Sequence, residues 1–183
     1  EFRIVLSAAL RAAKKPQTLV TIVIRPESPH MVYGYIEQGE ARKKISGKEI
    51  FSVCSIREKP GAAQARAFFQ SGKFYWNSGM FIWKTSSILK QLEKFLPDLH
   101  AGLMKIQKDL KTARAAKTIA AIYKTLPAVS IDYGVMEKAD NVFVIPAAFG
   151  WSDAGSWDTI YDLALKDARG NAVARGGEAV FEE

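Results

Sequence analysis

Two periods of hydrophobic and polar positions run through the chain. Phe2, Val5, Leu6, Ala9 and Ala13 recur at helical spacing, which predicts an amphipathic helix over residues 2–14, ended by Pro16. Leu19 to Ile24 is then a nearly continuous apolar run rich in β-branched residues, the pattern of a strand covered on both faces. Arg25-Pro26 stops it. Tyr33–Glu37 and Glu49–Ile56 read as two further strands, joined by a Lys-rich polar stretch with Gly39 and Gly47. A short helix is expected over 62–71, a Gly72-Lys73 turn after it, and a strand over Met80–Trp83.

The second half is mostly helical. Thr85-Ser86-Ser87 offers helix caps, and Ile88, Leu89, Leu92, Phe95 and Leu96 mark one apolar face. Pro97 breaks that helix and starts another with Leu99, Leu103, Ile106 and Leu110 in phase, and Ala113, Ala116, Ala120 and Tyr123 mark a third. A short helix over 131–139, a strand from Asn141 to Ile145 and a helix from Ser156 to Leu165 follow. Strands alternating with helices predict an α/β domain over residues 1–166, with 167–183 read as the start of a linker. No G-x-G follows any strand, so no nucleotide cradle of the glycine-rich kind is present.

Composition narrows the class without naming it. The chain is 48% hydrophobic and 25% charged, with 10 Phe, 6 Tyr and 4 Trp, enough for a sizeable core. No apolar run approaches the roughly 18 residues of a membrane span, and the first segment lacks the apolar centre of a signal peptide. The chain opens inside a helical pattern without an initiator Met, so a piece of a longer protein is expected. Cys54 is the only cysteine. It sits in an apolar run and reads as a small buried hydrophobe, with the cytoplasm as the default compartment. The net charge of +7 favours anionic partners. Lys105, Lys108, Lys111, Arg114 and Lys117 read as a solvated helix face, and no motif for nucleic acid or membrane stands out.

Four clusters could carry chemistry, and each has a plainer reading beside it. Phe149 to Trp157 holds two glycines, two tryptophans and Asp153 between a strand and a helix, where α/β domains place ligands. Asp153 there either binds a metal or caps the helix starting near Ser156. In Phe74 to Phe81, Asn77 is a polar residue among aromatics, suited to a sugar hydroxyl or to an Asx-turn. Arg57-Glu58-Lys59-Pro60 ends a strand, where surface exposure is the usual reading. Asp132 lies in the first turn of the short helix, where it favours the macrodipole. His30 and His100 are isolated, with nothing to suggest metal ligation.

Taken in order, these segments resemble the mannose-1-phosphate guanylyltransferases. The matching motifs are Y-G-Y-I-E at Tyr33 to Glu37, E-K-P at Glu58 to Pro60, and W-N-S-G-M-F at Trp76 to Phe81. They continue with S-I-D-x-x-V-M-E-K at Ser130 to Lys138 and G-W-S-D-x-G-S-W at Gly150 to Trp157. The match runs to about residue 165, and Met31-Val32 stand where the family tends to have small residues. The resemblance implies a Rossmann-like nucleotidyltransferase fold, a mixed and mainly parallel sheet flanked by helices, with the nucleotide-binding N-terminal half missing. It implies transfer of GMP from GTP to mannose 1-phosphate with Mg²⁺. Asp153 would be a metal ligand and, with Lys59 on the sugar phosphate, catalytic. Gly34 would let the backbone approach the sugar, Glu58 and Asn77 would bind its hydroxyls, and Asp132 would be a further substrate-binding residue. The fragment alone is expected to be inactive, and a homodimer is allowed for. A sister enzyme using another sugar or base, and a non-catalytic subunit of the same fold, remain open alternatives.

Overall fold

A computed structural model describes residues 1–155, 157–167 and 169–172, in two compact units, Glu1–Phe149 and Gly150–Glu183. In the first unit, helix α1 (Phe2–Ala13) precedes strand β1 (Leu19–Ile24) and a long hairpin, β2 (Tyr35–Ile45) and β3 (Lys48–Arg57). Helix α2 (Ala62–Ser71) leads to β4 (Phe74–Trp83). Then come α3 (Thr85–Phe95), α4 (Pro97–Asp109), α5 (Ala115–Thr125), a π-helical turn Asp132–Met136 and β5 (Val142–Ala147). The second unit contains α6 (Trp157–Leu163) and an isolated bridge between Lys166 and Ala172. Most of the expected linker, and Ser156 at the start of the last helix, lie outside the described residues. No helix among the described residues is long and apolar enough to cross a membrane.

The α/β class and the mixed sheet flanked by helices are as expected. The predominance of parallel pairing is not. Pairing runs β1-β4-β2-β3-β5 and closes on itself. Among the described residues, β1 pairs with β5 in parallel and the other four strand pairings are antiparallel. For the hairpin the cause is local: β2 and β3 are joined by the tight Ser46-Gly47 turn, both residues at positive φ (51° and 79°), and such a turn can link only antiparallel neighbours. The Lys-rich stretch expected to be a connection is strand for the same reason, since the exposed arm of the hairpin has no apolar face to signal it.

β1 is buried at all six positions, between β4 and β5, as its apolar run predicts. Leu19, Val23, Ile36, Ile56, Leu92, Val135, Met136, Val142 and Val144 form the core against which α3 and α4 lay Ile88, Leu89, Phe95, Leu96, Leu99 and Leu103. Two helix faces differ from expectation. α1 buries Val5, Ala8, Ala9, Ala12 and Ala13, and leaves Phe2 45% exposed with its ring edge against Phe149. α5 turns Ala115, Thr118 and Ile122 inward, not Ala116, Ala120 and Tyr123. Gly102 sets that phase, because its bare backbone receives Ile122. The Thr85-Ser86-Ser87 cap is also absent: Lys84 holds the N-cap position of α3, and no side chain caps it.

Cys54 is exposed, which overturns its expected burial. From Glu37↔Ser55 to Gln38↔Val53, β2 advances one residue and β3 two, so Cys54 is the extra residue of a β-bulge. Ile56 on one side of the bulge and Val53 on the other both reach the core, and the residue between them is turned out.

Candidate functional site

A second bulge builds the site in the first unit. Between Val23↔Asn77 and Thr21↔Phe81, β1 advances two residues (21 to 23) while β4 advances four (77 to 81). The expected turn at Asn77-Ser78-Gly79 is therefore an irregularity inside one continuous strand. Gly79 takes the left-handed φ of +70° that lets the strand kink, and Ser78 Oγ donates to the Ile22 carbonyl at 2.6 Å. Asn77 Oδ1 accepts the Gly79 backbone N–H at 3.3 Å, an Asx-turn, while Nδ2 donates to Asp132 Oδ1 at 3.0 Å. The Asx-turn expected as one reading of Asn77 is present, and the other end of the same amide is bonded to Asp132.

Gly34 lies buried beside them, its carbonyl accepting the Asn77 backbone N–H at 2.8 Å. The Glu58 carboxylate passes directly over its Cα. A Cβ at Gly34 would overlap Glu58 Oε2 and lie 3.3 Å from Asn77 Cβ, so only glycine leaves that carboxylate in place. Asp132 begins the π-helical turn, a distortion often found at functional sites. It sits in the first turn, as the macrodipole reading expects, and its carboxylate also accepts from Asn77 Nδ2. Lys59 is exposed and follows Glu58 at a left-handed φ of 45°. That conformation costs a non-glycine residue about 1 kcal/mol or more.

Four expected site residues, Gly34, Glu58, Asn77 and Asp132, are thus brought together, with Lys59 on the same segment as Glu58. Two participants were not expected. Thr21, fully buried in β1, donates its hydroxyl to Asn77 Oδ1 at 3.3 Å. Glu137 Oε1 accepts the Glu58 backbone N–H at 3.3 Å and so ties the Glu58 segment to the end of the π-helical turn. The signals were faint: one hydroxyl inside an apolar run, and one acid within a motif already matched. His30 stacks on Tyr33 at 4.7 Å between ring centroids, Tyr33 meets Trp76 edge-on at 4.9 Å, and the His30 carbonyl accepts Tyr35 Oη at 2.9 Å. This aromatic stack fixes the loop that carries Met31 and Val32, both exposed.

Asp153 lies in the second unit and is exposed. It sits in a tight turn where Ser152 Oγ accepts the Ala154 N–H at 3.3 Å and Ala154 has a φ of 48°. Helix α6 begins at Trp157, four residues beyond Asp153. Among the described residues, no group of three His, Cys, Asp or Glu side chains could hold a metal. Asp153 is instead a single hard oxygen donor, which fits one ligand of a magnesium site completed by other oxygens.

A family model described as "Nucleotidyl transferase" matches residues 2–170. The chain is similar to mannose-1-phosphate guanylyltransferase 2 of Escherichia coli O157:H7, 38% identical over 171 residues that cover 90% of this chain and 35% of that protein. It is also similar to the alginate biosynthesis protein AlgA of Pseudomonas aeruginosa, 36% identical over 99% of this chain and 37% of that one. Among solved structures, one described as mannose-1-phosphate geranyltransferase from Thermus thermophilus superposes with a TM-score of 0.74 at 30% identity. The match covers 88% of this chain and 44% of that one. The chain spans about a third of the length of the curated relatives it matches.

Proposed function

The chain belongs to the nucleotidyl transferase family, and from that premise we propose that it supplies the sugar-phosphate pocket of an enzyme making GDP-mannose from GTP and mannose 1-phosphate. The observation that carries this reading is the convergence of Gly34, Glu58, Asn77 and Asp132. Two carboxylates and an amide beside a bare backbone suit the hydroxyls of a hexose, which need both acceptors and donors at close range.

In the proposed reaction, a phosphate oxygen of mannose 1-phosphate attacks the α-phosphorus of GTP. The bond from that phosphorus to the β-phosphate oxygen breaks, and pyrophosphate leaves. Both reactants are anions, so the chain's contribution is positioning and charge neutralisation. Glu58, Asn77 and Asp132 orient the sugar, and the Gly34 backbone allows it to sit close. Lys59 neutralises the sugar phosphate as it approaches. Asp153 would hold Mg²⁺, which when bound supplies positive charge to the phosphate oxygens. This chain carries no glycine-rich phosphate loop and one candidate metal ligand. Alone, it therefore binds mannose 1-phosphate without turnover.

The test is calorimetric titration of the chain with mannose 1-phosphate, with mannose and inorganic phosphate as controls. Saturable binding of mannose 1-phosphate, lost in both Glu58→Ala and Asn77→Ala, is expected. No binding, or binding that both variants retain, would count against the pocket.

A further inference from the structure

The hydrogen bonds of Asn77 leave one Nδ2 proton over among the described residues. Oδ1 lies 3.3 Å from the Thr21 hydroxyl and 3.3 Å from the Gly79 N–H, which fills both of its lone pairs. Nδ2 gives one proton to Asp132 Oδ1 at 3.0 Å and keeps one. The reversed amide would set Nδ2 against the Gly79 N–H and Oδ1 against a carboxylate oxygen, two repulsive contacts, so the network assigns the orientation. Thr21 has a single hydroxyl proton. Its other acceptor, the Ile22 carbonyl, is farther away at 3.4 Å and has the shorter bond from Ser78 Oγ at 2.6 Å, so the nearer acceptor is Asn77 Oδ1, which can only accept.

We propose that Thr21 is a positioning residue: its buried hydroxyl locks the Asn77 amide so that Asn77 can only donate, next to an Asp132 carboxylate that can only accept. The pair then recognises two neighbouring hydroxyls of the sugar, giving a proton to one oxygen and taking a proton from the other. The sugar part rests on the function proposed above, whereas the lock does not. Thr21 is suited to the task by its place. It is fully buried in the strand between β4 and β5, so its side chain has little room to choose another rotamer. A buried hydroxyl with no better acceptor is held to the one it has.

The test uses three forms of the chain: wild type, Thr21→Val, which keeps the shape and removes the proton donor, and Thr21→Ser, which keeps the donor. In nitrogen–proton correlation spectra without ligand, wild type should show two well-separated Asn77 Nδ2 protons, the one facing Asp132 shifted downfield. T21S should keep that pattern. T21V should move it towards an unrestrained amide, with backbone resonances of the strands otherwise in place. On titration with mannose 1-phosphate, T21V should bind about tenfold more weakly and T21S within about threefold, the effect of one net hydrogen bond. An unrestrained Asn77 amide in wild type overturns the lock without any variant, so the proposal is tested even if T21V does not fold. Asn77 resonances unmoved in T21V also overturn it, and equal affinity in T21V overturns the positioning role. Failure of wild type to bind mannose 1-phosphate would instead overturn the sugar pocket, leaving the spectra to decide the lock.

Discussion

Gly34→Ala is the perturbation whose consequences the structure fixes most closely. Gly34 is not among the residues at positive φ, so alanine meets no backbone penalty there, and stiffening the unfolded chain contributes about 0.4–1 kcal/mol of stability. Against this, the new Cβ overlaps Glu58 Oε2, approaches Glu58 Cδ to 3.2 Å and Asn77 Cβ to 3.3 Å. The carboxylate is the far end of a flexible side chain and must retreat by about 1 Å to regain ordinary contact. Asn77 Cβ, anchored in β4, gives by a few tenths of an ångström. The two stability effects nearly cancel, and a residual of about 1 kcal/mol would shift Tm by about 2–4 °C. Binding should not be spared, because a catalytic or binding group displaced by about 1 Å costs up to ~10²-fold. The assay pairs a melting curve with mannose 1-phosphate titration of G34A, Glu58→Ala and the double variant. G34A is expected to bind at least tenfold more weakly with a near-normal Tm, and to add little once Glu58 is already truncated, since both act through one carboxylate. Unchanged affinity in a folded G34A would refute the placement of Glu58 at the ligand.

Asp153→Asn in the intact protein should lower kcat by ~10²-fold or more, with substrate affinity falling less and added Mg²⁺ restoring part of the rate. Near-normal turnover across a magnesium series, with a normal melting curve, would return Asp153 to a structural role. Cys54, exposed on its bulge, should react fully with a thiol reagent in the native chain, and Cys54→Ser should stay within about 0.5 kcal/mol of wild-type stability. Slow reaction only on unfolding would contradict the bulge. Lys48 Nζ, 2.9 Å from Glu1 Oε1, holds the Glu1 carboxyl below its ordinary 4.5, so this tie stabilises the fold above that pH and is lost as pH falls through the lowered value. The Tm difference between wild type and Lys48→Met should therefore shrink in acid, and a difference that grows there would reverse the argument.

Where local pattern and tertiary demand agreed, the sequence was legible. β1 and α2 begin and end where their residues predicted, because an unbroken β-branched run and a helix closed by Gly72 leave little choice. The hairpin was half hidden, since Gln38 to Ile45 forms a polar ribbon whose strand character depends on its partner β3 alone. Asn77-Ser78-Gly79 has the composition of a turn, and only pairing with β1 on both sides of the bulge makes it strand. The same blindness to bulges misplaced Cys54. Of the site, Glu58, Asn77 and Asp132 could be picked out by chemistry or by likeness. Thr21 could not, because what marks it is the atom it faces 56 residues further along the chain.

The most direct test of the account is a pyrophosphate-release panel on the intact protein, crossing GTP, ATP, dTTP and UTP with mannose 1-phosphate and glucose 1-phosphate in the presence of Mg²⁺. The account predicts that GTP with mannose 1-phosphate gives the highest kcat/KM, and that Asn77→Ala lowers this value chiefly through the KM for mannose 1-phosphate. A clear preference for another nucleotide or sugar, or no release with any pair, would contradict it.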